Sequence, residues 1–453
     1  MAFFTQNLGE HMQPEYQKEF RTILDAALAA VAPDGALARH VRVQGDQLLV
    51  DDTKYDLASR RLLVVGAGKG AAPMAAALEG LLGERITQGQ IIVKEGHSLP
   101  LKHIRLVEAS HPVPDERGER ATHELLRMAE SAGKDDLVIC LLTGGASALT
   151  PALAQGITLA DMRRTTELLL ECGATIHEIN AVRKHLSVYT GGRLAAAAVP
   201  APVVSLIVSD VVGDNLDVIG SGPTAPDAST FAQCLEIAER FGIKDRLPGP
   251  VLQRLADGAR GVIPETPKAD DLLFGRVQNV LIATNKQALE TAAETAKKLG
   301  YAPRILTSTL TGDSRVRARE LTEQACQAAA ALKPGDTPLC LLFGGETTLN
   351  LRGTGLGGRN QEMAVVAAQC LRGRKGMAAV FADTDGTDGP TDAAGAFASG
   401  STLDQAAKLG LDPQPYLDNN DCYNFLNKCG HLLVTGPTLT NVMGIGIFLA
   451  HPQ

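Results

Sequence analysis

Short apolar runs alternating with helical patterns dictate the architecture of this chain before any single residue is weighed. The runs lie at 62–65, 91–93, 104–107, 137–142 and 203–208, with apolar residues at helical spacing near 15–31, 70–82, 117–131, 158–172 and 181–196. Thr158 and Asp161 form a capping box for one of these helices, and Gly173 is a stop for it. Runs without polar alternation suit strands buried on both faces, and their alternation with helices predicts a largely parallel sheet wrapped by helices. A segment rich in Pro, Gly and charge at 246–267 interrupts the rhythm. It then resumes with strands at 280–283, 304–307, 339–342 and 379–382 and helices at 285–299, 314–332 and 360–372. The alternation at 348–352 fits one strand of an antiparallel hairpin. At 453 residues the chain exceeds one hydrophobic core. The expected fold is α/β in two domains, a Rossmann-like doubly wound sheet over 1–245 and an α/β domain with a mixed sheet over 246–453.

Composition removes several function classes. Net charge is −8 and aromatic content 4%, with no Trp. That argues against a general nucleic-acid or acidic-membrane surface and against stacking platforms for single strands. The eight cysteines contain no C-x-x-C, so free thiols in a reducing compartment are expected. The ten histidines show no metal spacing, and His177 and His185 are taken as structural or surface residues. The opening Met1-Ala2-Phe3-Phe4-Thr5 lacks the pattern of a signal peptide, and the longest apolar stretch, 194–208, is broken by Pro200 and Pro202. A cytoplasmic location is expected; a homodimer is compatible with the chain.

The glycines are more telling. Phe343-Gly344-Gly345-Glu346-Thr347-Thr348 precedes Gly353-Thr354-Gly355-Leu356-Gly357-Gly358-Arg359-Asn360-Gln361-Glu362. Glycines of this density let backbone wrap an anion, with Arg359 as a positive fork beside it and Gly345, Glu346, Gly358, Asn360 and Glu362 around it. Gly66-Ala67-Gly68-Lys69-Gly70-Ala71 follows a strand and opens a helix, where backbone N–H groups favour an anion. It also satisfies the loose dinucleotide fingerprint G-x-G-x-x-A, without the acidic residue that would bind a ribose. A tight turn with a surface lysine is the plainer alternative. Thr143-Gly144-Gly145-Ala146-Ser147 repeats the arrangement; it is not G-x-S-x-G, so cradling is favoured over a serine nucleophile. Arg183 and Lys184 follow the N-cap candidate Asn180, and a solvated helix face explains them equally well.

Two segments supply carboxylates. Asp210 stands at the C-terminal edge of a buried run, with Asp214 close behind, and a carboxylate there holds Mg²⁺ or accepts a hydroxyl proton. An Asx-turn and helix cap account for one of the two just as simply. Asp383, Asp385, Asp388 and Asp392 crowd a second loop without the terminal Glu of a calcium hand; a role toward Mg²⁺–nucleotide is the expectation, with some of them only shaping the loop.

Together these segments, with Ser110-His111-Pro112-Val113-Pro114-Asp115 and Thr435-Gly436-Pro437-Thr438, resemble the glycerate 2-kinase family, whose members are often labelled hydroxypyruvate reductases. The resemblance runs through most of the chain in the family's order. It implies an N-terminal glycerate-kinase domain, a C-terminal domain containing a MOFRL region at about 335–447, and a site in the cleft between them. It implies transfer of the ATP γ-phosphoryl group to the 2-hydroxyl of D-glycerate. Lys69 and Arg359 match the family's basic residues; with Asp210 they form the expected catalytic set. Substrate or phosphate would meet Gly68, His111, Gly144, Gly145, Ser147, Arg183, Lys184, Gly345, Glu346, Gly358, Asn360 and Glu362. Asp214, Asp385 and Asp388 would hold Mg²⁺. Three positions depart from the family's pattern: Asp383 and Leu439 stand where Gly is usual, and Thr190 where Lys is frequent. The competing readings are an NAD(P)H-dependent hydroxypyruvate reductase, resting on the glycines at 66 and 68, and a non-catalytic sensor of a sugar acid or nucleotide.

Overall fold

The computed structural model describes residues 14–452, which fall into two units: 36–282, and 14–35 together with 283–452. The opening segment 1–5 lies outside the described residues. In the 36–282 unit a six-stranded sheet runs Ile104–Ala109, Ile86–Lys94, Leu62–Ala67, Leu137–Leu142, Val203–Val208, Val277–Ala283. The first five are mutually parallel. The order reverses beside Leu62–Ala67, as in doubly wound sheets, which build sites where the strands end at such a reversal. Every residue of Leu62–Ala67, Leu137–Leu142 and Val203–Val208 is buried, which is why these segments are unbroken apolar runs. The Thr158 capping box is present. The expected helix over 181–196 is instead two, Ile176–Leu186 and Arg193–Ala197, because Gly191 and Gly192 take φ of 61° and 80° between them.

The domain division departs from the boundary expected at 245. The segment 246–267 carries a helix, Gly249–Ala259, whose Val251 and Leu255 are buried with Phe231. A Cβ at Gly258 would lie 2.1 Å from the Phe231 ring, so this glycine permits close helix packing and does not punctuate a linker. Its composition reads as a boundary only because its other faces are exposed. A small antiparallel sheet, Val41–Gln44, Gln47–Val50, Thr53–Asp56, was not expected; its strands are four residues each and carry little periodicity.

The second unit has a mixed sheet in the order Ala302–Leu310, Leu339–Gly345, Gly444–Ala450, Met377–Asp383, Gly395–Ser399, Leu432–Leu433. The first pair is parallel and the rest are antiparallel. Alternate residues of Gly395–Ser399 serve opposite faces. Ala396 and Ala398 join the core with helices Ser314–Ala330 and Arg359–Leu371, while Phe397 meets Phe20 of helix Pro14–Val31 at 5.9 Å. The N-terminal helix therefore belongs to this unit. The strand expected at 348–352 is absent: Thr348 makes a single bridge to Asp313, and the amides of Arg352 and Gly353 bond the Asn420 side chain. All eight cysteines are free thiols, and no described helix is long and apolar enough to cross a membrane.

Candidate active site

Five parallel strands of the 36–282 unit end beside residues of one cluster: Lys69 after Ala67, Lys94 and His97, His111 after Ala109, Gly144–Ser147 after Leu142, and Asp210 after Val208. The turn at 144–145 is their meeting point. A Cβ on Gly144 would lie 1.7 Å from Asp210 Oδ2, and one on Gly145 would lie 3.0 Å from both His111 Nε2 and Lys69 Cγ. The backbone fastens the loops together: Lys69 N donates to Gly144 O (2.9 Å), Gly70 N to Thr143 Oγ1 (3.0 Å) and Thr143 N to Ala67 O (3.2 Å). Gly66 and Gly68 sit at φ of 147° and 145°; side chains there would strike Leu141 O and Thr143 Oγ1, each at 2.0 Å. Approach of neighbouring strand ends thus accounts for both glycines of the loose dinucleotide fingerprint.

The charged groups that act on His111 are basic. Burial first, then Lys69, Lys94 and His97, push the His111 pKa down to about 4, so its imidazole is neutral near pH 7. His97 Nδ1 lies 3.0 Å from Lys69 O. Among the described residues neither Lys69 nor Lys94 forms an ion pair. Lysines outside any ion pair beside a glycine turn favour an anion there.

The other basic candidates divide. Arg183 lines a cavity and donates to Ser147 O at 3.3 Å. Lys184 does not: its Nζ is buried between Asp217 (3.2 Å) and Asp227 (3.3 Å), where it holds the chain following Asp210. His185 is buried against Glu265 and Ala181 O, a structural residue as expected; His177 is exposed.

In the second unit the expected anion loop is largely satisfied by the chain itself. The amides of Arg352 and Gly353 bond Asn420 Oδ1, Thr354 N bonds Asn419 Oδ1, Gly355 N bonds Asn419 O, and Leu356 N bonds Asp421 Oδ1. These donors are not offered to a ligand, contrary to the expectation for the 353–356 part of the 353–358 loop. Gly344 and Gly345 are strand glycines that accommodate Asn285 and Leu310. Glu362 is buried and bonded to Ser314, Arg315 and Asn420, so it is a structural anchor and not a substrate ligand. Asp388 Oδ1 accepts from Asn360 N (3.1 Å) and Asp388 Oδ2 from Gln361 N (2.8 Å), capping helix Arg359–Leu371 with Gly358 packed on its carboxylate. Both oxygens thus serve the helix cap, and the Asn360 side chain also turns to Asp388 Oδ1 at 3.3 Å, so capping is the role the geometry gives these two residues. Arg359 lies between Glu346 (2.7 Å) and Asp383 (2.7 Å), and these carboxylates hold its pKa above the ordinary arginine value despite burial. Burial pushes the Asp383 carboxyl up. Asp383 and Leu439, two of the departures noted above, thus acquire contexts: an arginine partner, and a non-glycine residue at φ of 65°.

Of the metal candidates, Asp214 keeps a buried Oδ1 without a partner and is held at φ of 57°. Asp385 uses Oδ1 to accept from Thr387 N. No three acidic, histidine or cysteine side chains gather as a metal cage among the described residues. Sequence reasoning missed Lys94, His97 and Ser221, whose Oγ lies 2.9 Å from Ser147 Oγ. Lys94 could have been found, since it ends a buried strand next to Leu62–Ala67; Ser221 stands between Gly220 and Gly222, in a stretch whose glycines draw notice while its hydroxyl does not.

Residues 19–256 match a family described as a domain of unknown function (DUF4147), and residues 339–444 match the MOFRL family. The chain is 40% identical to a D-glycerate 2-kinase of Thermotoga maritima, over 93% of this chain and 95% of that one. It is 39% identical to a glycerate 2-kinase of Pyrococcus horikoshii, over 94% and 95%, and 39% identical to a putative hydroxypyruvate reductase of Agrobacterium vitis, over 95% and 93%. The crystal structure of a Thermotoga maritima glycerate kinase superposes with a TM-score of 0.85 at 38% identity, covering 97% of this chain and all of the other. With both family regions matched in order and similarity along nearly its whole length, this chain belongs to the glycerate 2-kinase family.

Proposed function

We propose that this chain transfers the γ-phosphoryl group of ATP to the 2-hydroxyl of D-glycerate, giving 2-phosphoglycerate and ADP, in the cytoplasm. The observation that carries the reading is the convergence of the Asp210 carboxylate with Lys69 and neutral His111 on the Gly144–Gly145 turn. Phosphoryl transfer needs positioning and charge neutralisation more than covalent chemistry. Lys69, with Lys94 behind it, stabilises charge on the transferring group. Asp210 orients the acceptor hydroxyl and takes its proton as the new O–P bond forms. Arg359 is the corresponding fork of the second unit, and an incoming anion would replace Glu346 or Asp383 on it. Mg²⁺ supplies neutralisation of the nucleotide phosphates when bound, and such an ion takes only one or two carboxylates from protein beside phosphates; Asp214, with its unpartnered oxygen, is the candidate of the 36–282 unit, and Asp385, by itself, that of the other unit. The kinase names of the Thermotoga and Pyrococcus relatives support this reading. The reductase alternative loses its main sequence support once strand packing accounts for Gly66 and Gly68.

Incubation with Mg·ATP and D-glycerate, followed by ³¹P NMR, tests the proposal. Glycerate-dependent ADP with the 2-phospho isomer is expected, and Asp210→Asn should lower kcat/KM by about 10²–10⁴-fold. The 3-phospho isomer would overturn the regiochemistry; no ADP, with NADH oxidised by hydroxypyruvate, would overturn the kinase.

A further inference from the structure

Arg183, one of the expected basic residues, is deeply set and lines a cavity. It projects from helix Ile176–Leu186, and its Nη2 donates to Ser147 O at 3.3 Å. A guanidinium carries five N–H donors, so most of its capacity is left for a ligand. Among the described residues it forms no ion pair, unlike its neighbour Lys184. Burial alone shifts its pKa, downward, with no acid to offset the cost. Hydroxyls line the same cavity: Ser147 and Ser221 face each other at 2.9 Å, and Thr190 Oγ1 is buried with no hydrogen-bond partner at all. Leu153, Met162 and Pro151 complete the wall. Its volume of about 20 Å³, room for about one water-sized group, excludes a nucleobase.

We infer that Arg183, with the hydroxyls of Ser147, Ser221 and Thr190, is the subsite for the carboxylate of the hydroxy-acid acceptor, separate from the Lys69–His111 cluster that meets the phosphoryl group. The inference rests on the phosphotransfer reading above and adds which residues hold the acceptor's carboxylate. A planar fork matches a carboxylate through two parallel bonds, whereas a phosphoryl group with more charge is better served by the several cations around Gly145. The two places are joined by one short turn: Gly144 touches Asp210, Gly145 touches Lys69 and His111, and the Ser147 carbonyl holds Arg183. An acid anchored at Arg183 brings its nearest carbons toward that turn.

Calorimetric titration without nucleotide tests this, using D-glycerate as the acid and glycerol as its uncharged control. Wild-type protein is expected to bind D-glycerate and not glycerol. Arg183→Met should weaken D-glycerate about 10–100-fold, the value of a charged hydrogen-bonded contact, with partial recovery in Arg183→Lys. Thr190→Val should weaken it about 2–10-fold with Tm unchanged, since that hydroxyl has no protein partner to lose. In turnover, the KM for glycerate should rise while the KM for ATP stays within about twofold, the pattern of a contact made to the acceptor alone. Unchanged D-glycerate binding in both variants, or equal rises in the two KM values, would overturn the subsite; Thr190→Val decides if Arg183→Met fails to fold. Arg183-dependent binding without phosphotransfer would sink the proposed function and leave the subsite standing. Phosphotransfer with an unaltered glycerate KM in the variants would do the reverse.

Discussion

Two glycine-rich regions use the same residue type to opposite electrostatic ends. At 66–70 and 144–147, missing side chains let Thr143, Asp210, Lys69 and His111 crowd one turn, and the lysines there have no carboxylate partner among the described residues. At 353–362 and 383–389, missing side chains let Asn419, Asp421 and Asp388 close on the backbone, and Arg315, Arg359 and the amides of 352–356 are engaged. Glycine content therefore reports close approach of backbone. Whether a ligand is wanted is decided by the charges left unpaired around it.

The largest expected effect lies in the satisfied region. Glu362→Ala strands Arg315 and Asn420 in a buried setting and should cost about 3–5 kcal/mol of stability by denaturant titration, because an uncompensated buried charge remains. Near-native stability with lost turnover would break the comparison by making Glu362 functional. Next comes Lys69→Met in the unpaired region: kcat/KM should fall about 10²–10³-fold with Tm unchanged or raised, since no protein carboxylate loses a partner. The same variant should raise the His111 pKa above about 4, because a neighbouring positive charge no longer disfavours the imidazolium; NMR titration of the ring protons reads this directly. The sign on stability follows. As pH falls from about 6.5 toward 4 the unfolded chain takes up a proton that folded His111 refuses, so acid destabilises through this residue, and less so in Lys69→Met. Smallest is Asp388→Ala, which removes a helix cap and should cost about 1–2 kcal/mol with no change in the Mg²⁺ requirement. A raised requirement would return Asp388 to the metal set and sharpen the role of the second loop.

Much of the parallel sheet was legible because all-buried strands write themselves as unbroken apolar runs, Leu137–Leu142 being found at its observed bounds. The small sheet at 41–56 and the closing strand Gly444–Ala450 were not, the first for its shortness and the second because Gly444 and Gly446 dilute its apolar pattern. Gly446 is glycine because the Phe343 ring lies where its Cβ would be, a long-range reason invisible locally. At the site, motif position singled out Lys69, His111, Asp210 and the 144–147 turn as candidates. It did not separate Arg183 from Lys184, adjacent residues of one helix, since only the fold shows that Asp217 and Asp227 reach the second and not the first. Asp388 looked like a metal ligand because a cap and a ligand are both aspartates near glycines; the capped amides lie 28 and 27 residues away in sequence.

The helix Pro14–Val31 shares a core with strands made near the end of the chain, and that has a consequence for biosynthesis. Phe20 covers Phe397, and Glu19 accepts from the Tyr301 hydroxyl at 2.6 Å. At about 5–20 residues per second, the roughly 380 residues between Phe20 and Phe397 take roughly 20–75 s to add. Through that interval the intervening unit can close, while Phe20, Ile23, Leu24 and Ala27, all buried at the end, wait in water. A nascent chain arrested before Phe397 should be cleaved by protease within 14–31 and spared within 62–142. The hazard for this protein on the ribosome is therefore a delay fixed by the path of the chain, however stable either half becomes once complete.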